Sequence, residues 1–325
     1  LSSKLSVIIV TYNSAEDIIP CLRSVYAEDD KAEVLVLDNA SGDHTIPLVE
    51  STFPQVRMIP MGGNFGYAKA VNRGLSLVQG RFCLILNPDC WLLPGTISTL
   101  TEELSVDAVG AVGPKLVDEQ GMISRNGRRN KPTWSILLLN GLGIGELMWD
   151  ASPLRGFYYP LADMESAGDA ALLSGSCMMI KREVVKLVGG MDTGFFLFGE
   201  DIDYCLRIFR RGFRLYYQPH AVVVHLRGKS RRGKKVLVTA EGIWSASRLG
   251  VKLGGPFLGR FIFLAGMCVL PIRILTALFR SRRDEGLNFG DLGAIFKYTF
   301  SKVRRQGFPW VDITQEIYIP LKDSG

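Results

Sequence analysis

Cysteine pairing is the first thing missing. The six cysteines of this 325-residue chain, Cys21, Cys83, Cys90, Cys177, Cys205 and Cys268, make no C-x-x-C pair and no zinc-like spacing. That excludes a disulfide framework, a thiol redox motif and a structural zinc site. Several fall in apolar runs, as small core residues in a reducing compartment do. No G-x-G-x-x-G follows the first apolar run (residues 7–10); Thr11-Tyr12-Asn13-Ser14-Ala15 stands there instead, so the pyrophosphate turn of a dinucleotide dehydrogenase is absent. Nor are these residues the glycine-rich basic loop with which a sugar nucleotidyltransferase would handle a triphosphate. The same apolar run is too short for the core of a secretory signal, and the expectation is catalytic machinery in the cytoplasm. Internal repeats are also absent.

A long uninterrupted apolar stretch is lacking too. Apolar residues crowd 257–279, but Arg260 and Arg273 interrupt them, and the unbroken piece, 261–272, has 12 residues and includes Pro271. As a helix it covers roughly 18 Å against roughly 30 Å of hydrocarbon. This argues against a full span. It leaves an interfacial helix over residues 256–283, flanked by Arg280, Arg282 and Arg283, or else a core helix of a small C-terminal domain.

What the chain does have is an ordinary globular composition, 47% hydrophobic and 22% charged, with a net charge of +6. The charge is unevenly spread. From Arg227 onward 18 Lys+Arg stand against 7 Asp+Glu, so the C-terminal third is built to meet an acidic partner. Nucleic acid and anionic lipid both qualify on charge alone. Residues 6–10, 33–37, 56–59 and 82–86 are compact apolar runs of the kind a buried parallel strand shows. Helical spacing separates them, with Tyr67, Val71, Leu75 and Val78 on one stripe. The order is that of a doubly wound α/β layer. Residues 119–170 read as an irregular functional loop region. Order resumes with a strand at 176–180 and a short helix ending at Gly189-Gly190. A second helix over 199–211 carries acids in its first turn and arginines in its last. Two further strands are expected at 215–217 and 222–224. The expected organisation is a catalytic domain over 1–235 and a helical, basic and apolar extension over 236–325.

In a doubly wound sheet ligands lie beyond the carboxyl ends of the strands. Those ends carry Thr11-Tyr12-Asn13, then Asp38-Asn39-Ala40-Ser41-Gly42-Asp43, then Gly63-Asn64-Phe65-Gly66, then Asn87-Pro88-Asp89. Turn chemistry alone selects such residues, but four polar strand ends in succession suit a nucleotide lying across the sheet. Asp38 could accept a hydrogen bond from a base or ribose, and Gly66 leaves room for close approach. Asp89 puts a carboxylate at the sheet edge, where Mg²⁺ or Mn²⁺ would neutralise a departing diphosphate; a simple turn is the alternative. His225, one of three histidines, is either a packed residue at a strand end or a further metal ligand. Glu200, Asp201 and Asp203 exceed what helix capping needs. Asp201 is the choice for a general base that takes a proton from an attacking hydroxyl.

Taken together and in this order, these motifs resemble family 2 glycosyltransferases with the GT-A fold, a mostly parallel central sheet flanked by helices. The nearest likeness is to the rhamnosyltransferase-like members of bacterial polysaccharide and cell-wall assembly. The likeness rests on residues 7–13, on 38–43, on Asn64-Phe65-Gly66-Tyr67-Ala68 with Asn72 and Gly74, and on Asn87-Pro88-Asp89. It continues through Ser174-Gly175-Ser176, Gly189-Gly190-Met191-Asp192, Phe195-Phe196, Glu200-Asp201-Ile202-Asp203 with Leu206-Arg207, and His225 with Gly228 and Ser230. The resemblance implies an inverting transfer of a sugar, rhamnose being one candidate, from a nucleotide-diphosphate donor to a hydroxyl of a glycan or polyprenyl-diphosphate-linked acceptor. Thr11, Tyr12, Asn13 and Asp38 would hold the nucleoside, and Asn64, Gly66 and Lys69 would line the donor pocket. Asn87 and Asp89 occupy the place of the family's D-x-D motif, with Asn as the departure. Asp89 and His225 would bind Mn²⁺ or Mg²⁺, Asp201 would be the base, and Asp192 and Glu200 would lie near the acceptor. The Q-x-x-R-W motif of processive synthases is missing, which implies addition of one sugar or a few. The expected setting is peripheral, on the cytoplasmic side of an anionic membrane, without nucleic acid. A nucleotidyltransferase, or a nucleic-acid module using the six basic residues of 227–235, is the competing reading.

Overall fold

The computed structural model describes residues 5–143, 156–226, 234–278, 287 and 289–311. In chain order the elements are β1 (Leu5–Thr11), α1 (Ile18–Glu28), β2 (Glu33–Asp38), α2 (Thr45–Thr52), β3 (Arg57–Pro60), α3 (Tyr67–Leu75), β4 (Phe82–Leu86), β5 (Cys90–Leu92), α4 (Thr96–Leu104) and β6 (Val109–Val117). They continue with β7 (Arg128–Arg129), α5 (Trp134–Gly141), β8 (Gly168–Ala170), β9 (Leu172–Leu173), β10 (Cys177–Lys181), α6 (Arg182–Val188), α7 (Glu200–Arg210), β11 (Arg214–His225), α8 (Lys235–Leu278) and α9 (Phe289–Gln306).

The main sheet runs β3-β2-β1-β4-β10-β6-β11-β5, with β8 paired to β11. The first four strands are parallel, β10 is antiparallel to both its neighbours, and β11 is parallel to β6. Why these runs sit in the middle follows from their alternation. Val7 and Ile9 face one core with Val34, Val36, Leu84 and Leu86, while Ile8 and Val10 face the other with Leu35, Leu37, Cys83 and Ile85. A strand that is apolar on both faces can be satisfied only between two layers of helices. Each such side chain contributes about 1.5–3 kcal/mol when fully buried. All six cysteines are free, and only Cys268 is exposed.

Three expectations need correction. The strands expected at 215–217 and 222–224 are one strand, β11, whose register shifts between Gln218 and Val222. Pro219 stands in that gap without an N–H to give the ladder, so the pairing is interrupted and the strand continues. Residues 109–117, given no strand, form the long β6. The irregular region 119–170 contains a helix, α5, whose first turn is capped by the Thr133 side chain.

The C-terminal extension is a helical hairpin. Within α8 the backbone breaks at Gly255 (φ 84, ψ 174), just before Pro256, where the proline removes an N–H and restricts the residue ahead of it. The two halves then fold back on each other. Ser247 Oγ donates to Gly259 O at 2.8 Å, and a Cβ on Gly259 would lie 2.1 Å from the Val251 side chain. The first half is fastened to the α/β layer, with Trp244 Nε1 donating to Gly194 O and Ser245 Oγ to Leu197 O. The second half leaves Phe257, Phe261, Leu264, Cys268 and Ile272 exposed along one stripe, Phe257 at 83%. By length and composition 235–272 is long and apolar enough to cross a bilayer, but the fold bends it and presses its first half onto that layer. The arginines expected at 280, 282 and 283 lie outside the described residues.

Candidate active site

The loops after β1 and β2 are sewn together before any ligand arrives. Asn13, at a left-handed φ of 55°, gives its N–H to Ser41 Oγ and accepts from Gly42 N at 2.7 Å. Ser14 N donates to Thr45 Oγ1, and Ala15 N donates to Asp43. Thr11 Oγ1 donates to Asp38 Oδ1 at 2.8 Å, Ser41 donates to both Asp38 oxygens, and Thr11 and Asp38 are fully buried. These two residues, expected to touch the nucleoside, are bonded to each other and to Ser41 beneath the loops. Exposed side chains on the two loops include Tyr12, Asn13, Asp43 and His44, with Lys234 Nζ 4.6 Å from the centre of the Tyr12 ring.

Gly66 also has a different reason than expected. Its φ is 85°, and a Cβ there would lie 2.5 Å from Phe196 O, the same carbonyl that accepts from Tyr67 N at 2.9 Å. The space is taken by the protein's own backbone, not kept for a donor. Asn64 is exposed and accepts from Gly66 N. Lys69 is exposed and lies over the Phe65 ring, 4.2 Å from its centre.

Asn87, Asp89 and His225 meet at the other end of this edge. β11 pairs antiparallel with β5 so that His225 stands opposite Cys90, and Leu226 N donates to Asp89 O at 2.9 Å. His225 Nε2 is 3.5 Å from Asp89 Oδ1. That oxygen is buried and has no hydrogen-bond partner among the described residues, a costly state for a carboxylate unless a cation completes it. The ligand atoms of Asp89, Cys90 and His225 lie within 4.8 Å of one another. Of the three, the carboxylate and the imidazole are the donors that suit a hard divalent ion. Gly228 and Ser230 fall outside the described residues.

The acids at the start of α7 face the same edge through residues 174–176. Asn87 N donates to Ser176 O at 2.8 Å, and Gly175 N donates to Asp201 Oδ2 at 3.2 Å. Tyr67 Oη donates to Gly175 O at 2.8 Å. The turn holding Asp89 and the carboxylate of Asp201 are thus separated by one short segment that both touch. Arg129 Nη2 donates to Asp201 Oδ2 at 2.8 Å. Glu200 is buried, with Oε2 unpartnered among the described residues; burial, then the charge of Asp201, pushes it up to about 8.

Asp192, expected near the acceptor, is committed elsewhere. Arg248 grips it with two hydrogen bonds, Nε to Oδ2 at 3.0 Å and Nη2 to Oδ1 at 2.9 Å. Lys252 Nζ lies 2.7 Å from Oδ2, and Gly194 N donates to Oδ1. With four donors on two oxygens the group has nothing left for a substrate. Lys252 also reaches Asp203 of α7 at 2.9 Å, and Asp203 binds Arg207. Arg129, Arg248 and Lys252 were missed in the sequence, because no spacing rule pairs them with acids so far along the chain.

Residues 6–189, more than half of the chain, match the model of glycosyl transferase family 2. The chain belongs to that family. A second model, glycosyl transferase family group 2, matches residues 149–272 and so runs into the helical hairpin. Among relatives, the chain is 29% identical over 244 residues to an N-acetylglucosaminyl-diphospho-decaprenol L-rhamnosyltransferase of Mycobacterium tuberculosis, covering 71% of this chain and 78% of that one. It is 27% identical over 216 residues to a low-salt glycan biosynthesis hexosyltransferase of Haloferax volcanii, covering 65% and 63%. The structure is similar to that of a mannosyltransferase of Pyrobaculum calidifontis in complex with GDP-mannose and Mn²⁺. That match has a TM-score of 0.54 and 20% identity, and covers 98% of this chain and 85% of that one. The fold is GT-A, and the chain is a glycosyltransferase rather than a nucleotidyltransferase or a nucleic-acid module.

Proposed function

We propose that this glycosyltransferase moves a sugar, rhamnose being the first candidate, from a nucleoside-diphosphate donor to a hydroxyl of a polyprenyl-diphosphate-linked glycan, inverting the anomeric centre. One observation carries the reading. A buried, unpartnered Asp89 oxygen faces His225, while a second carboxylate, Asp201, lies just across residues 174–176. Tyr12 and Asn13, both exposed, would meet the nucleoside above Thr11 and Asp38. Asp89 and His225 would hold Mn²⁺ or Mg²⁺, which supplies charge neutralisation for the departing diphosphate. Asp201 accepts the acceptor's hydroxyl proton as the new oxygen–carbon bond forms and the sugar–phosphate bond breaks. The name of the mycobacterial relative supports the sugar and the lipid-linked acceptor.

The exposed stripe of Phe257, Phe261, Leu264 and Ile272, with Phe296 and Phe300 of α9 also exposed, supports peripheral seating on an anionic membrane, on its cytoplasmic side. The surplus of basic residues beyond Arg227 would favour the same surface.

Asp201→Asn should lower transfer by ~10²-fold or more while donor affinity, read by calorimetry with the nucleotide-sugar, is nearly unchanged. Excess EDTA should abolish transfer, and Mn²⁺ or Mg²⁺ should restore it. Full activity under chelation would remove the metal role, and equal loss of binding and turnover in Asp201→Asn would make that acid structural.

A further inference from the structure

Arg129 comes from the loop region between the two halves of the sheet, yet its side chain ends against the first turn of α7. β7 pairs with β9, setting Arg129 opposite Leu172, and Arg129 also bridges to Tyr158. From there its Nη2 donates both to Leu173 O at 3.0 Å and to Asp201 Oδ2 at 2.8 Å. The side chains of the pair are 10% and 16% exposed, so solvent screens it little.

Two consequences follow for the carboxylate. Among the described residues Arg129 and Gly175 N both donate to Oδ2, whereas Oδ1 accepts only the N–H of Ile202. With two lone pairs per oxygen, Oδ1 keeps the open acceptor position. The second consequence concerns Glu200, whose carboxyl is adjacent and buried. Two neighbouring carboxylates away from water do not both ionise readily. The Arg129 guanidinium is hydrogen-bonded to Asp201 and acts on Glu200 only through space. The other groups facing Asp201 are Tyr67 from α3 and Cys205 from α7, with Glu241 of α8 acting on Glu200. Arg129 is the cation among these contacts.

We propose that Arg129 is a positioning residue for transfer: it pins Oδ2 of Asp201 beside the buried Glu200 and leaves Oδ1 to take the acceptor's proton. This rests on Asp201 being the base. The guanidinium itself touches neither sugar and moves no proton.

The test is the pH dependence of kcat in the full-length enzyme at saturating donor and acceptor. Arg129→Gln keeps a polar side chain but removes the charge and the reach to Asp201 and Leu173 O. The acid limb should move up by about one pH unit, the low end for losing an opposite charge, with kcat at neutral pH down on the order of tenfold and the donor KM unchanged. Arg129→Lys keeps a charge and should return the limb to its wild-type position while recovering part of kcat. A limb that stays put in Arg129→Gln, with both variants merely melting earlier, would reduce Arg129 to a staple between β7 and Leu173 and overturn the proposal. If the Gln variant does not fold, the Lys variant still decides, because a shifted limb with the charge retained contradicts the argument. Asp201→Asn is run beside them. Transfer surviving there sinks the base assignment itself, whereas transfer lost there with an unmoved limb in Arg129→Gln sinks only the role of Arg129.

Discussion

The loops after β1 and β2 and the C-terminal attachment are held by opposite means. These loops, which follow neighbouring strands, are joined by short hydrogen bonds involving Asn13, Ser41, Asp43 and Thr45. The hairpin is held to the sheet and its helices by buried ion pairs, with Arg248 and Lys252 on Asp192 and Lys252 on Asp203. The difference follows from topology. Strand pairing has already placed the two loops side by side, so turn chemistry is enough to fix them. Nothing in the sheet places the hairpin, and directional charge pairs supply the missing register.

The comparison breaks most visibly at Asp192. Asp192→Ala leaves Arg248 short of its partner in a buried site, and a loss of about 3–5 kcal/mol is expected in chemical unfolding. The same variant should remove part of the acid sensitivity. Burial alone would raise the Asp192 carboxyl, but hydrogen bonds and charge from Arg248 and then Lys252 outweigh it and hold the group below its ordinary range. Its stabilising effect is therefore complete above the unfolded value of about 4 and is lost as pH falls through the lower native one. Wild type should lose stability across that window more steeply than Asp192→Ala. Parallel curves would show that the knot does not control attachment.

On the donor side, Gly66→Ala tests whether a loop without charges can matter as much. A positive φ and a Cβ pressed against Phe196 O should cost about 2–3 kcal/mol, measured as a lower melting temperature. Donor affinity should weaken with it, because Asn39 Nδ2 donates to Gly66 O and ties this loop to the one after β2. The smallest effect on turnover is expected for Phe257→Ser combined with Phe261→Ser. Flotation with anionic vesicles should be lost, while transfer to a short water-soluble acceptor stays at the wild-type rate. Unchanged flotation would remove the apolar stripe as a membrane contact.

How far the sequence reveals all this differs in the same two regions. β1, β2 and β4 were legible because unbroken apolar runs have one solution, burial on both faces. β6 was not, because Gly110, Gly113, Pro114 and Lys115 interrupt its run, and its strand state is imposed by β10 and β11 on either side. Thr11 and Asp38 were picked out by position at strand ends, but position could not tell that they would bond to each other. Asp89 and His225 are joined by the pairing of β5 with β11, which no local pattern encodes; the family likeness drew attention to both. The partner of Asp192 lies 56 residues further on, and the sense of that aspartate as an anchor became visible only with the tertiary structure.

The break at Gly255 makes a bracket of the extension. Lys252, bound to Asp203 of α7, and Phe257, open to its surroundings, are on either side of that one corner. Whatever the phenylalanines touch is thereby held in a set orientation to α7, because the backbone of a single glycine decides how the apolar stripe leaves the anchored half. A residue that cannot adopt its positive φ would swing the stripe without loosening the anchor.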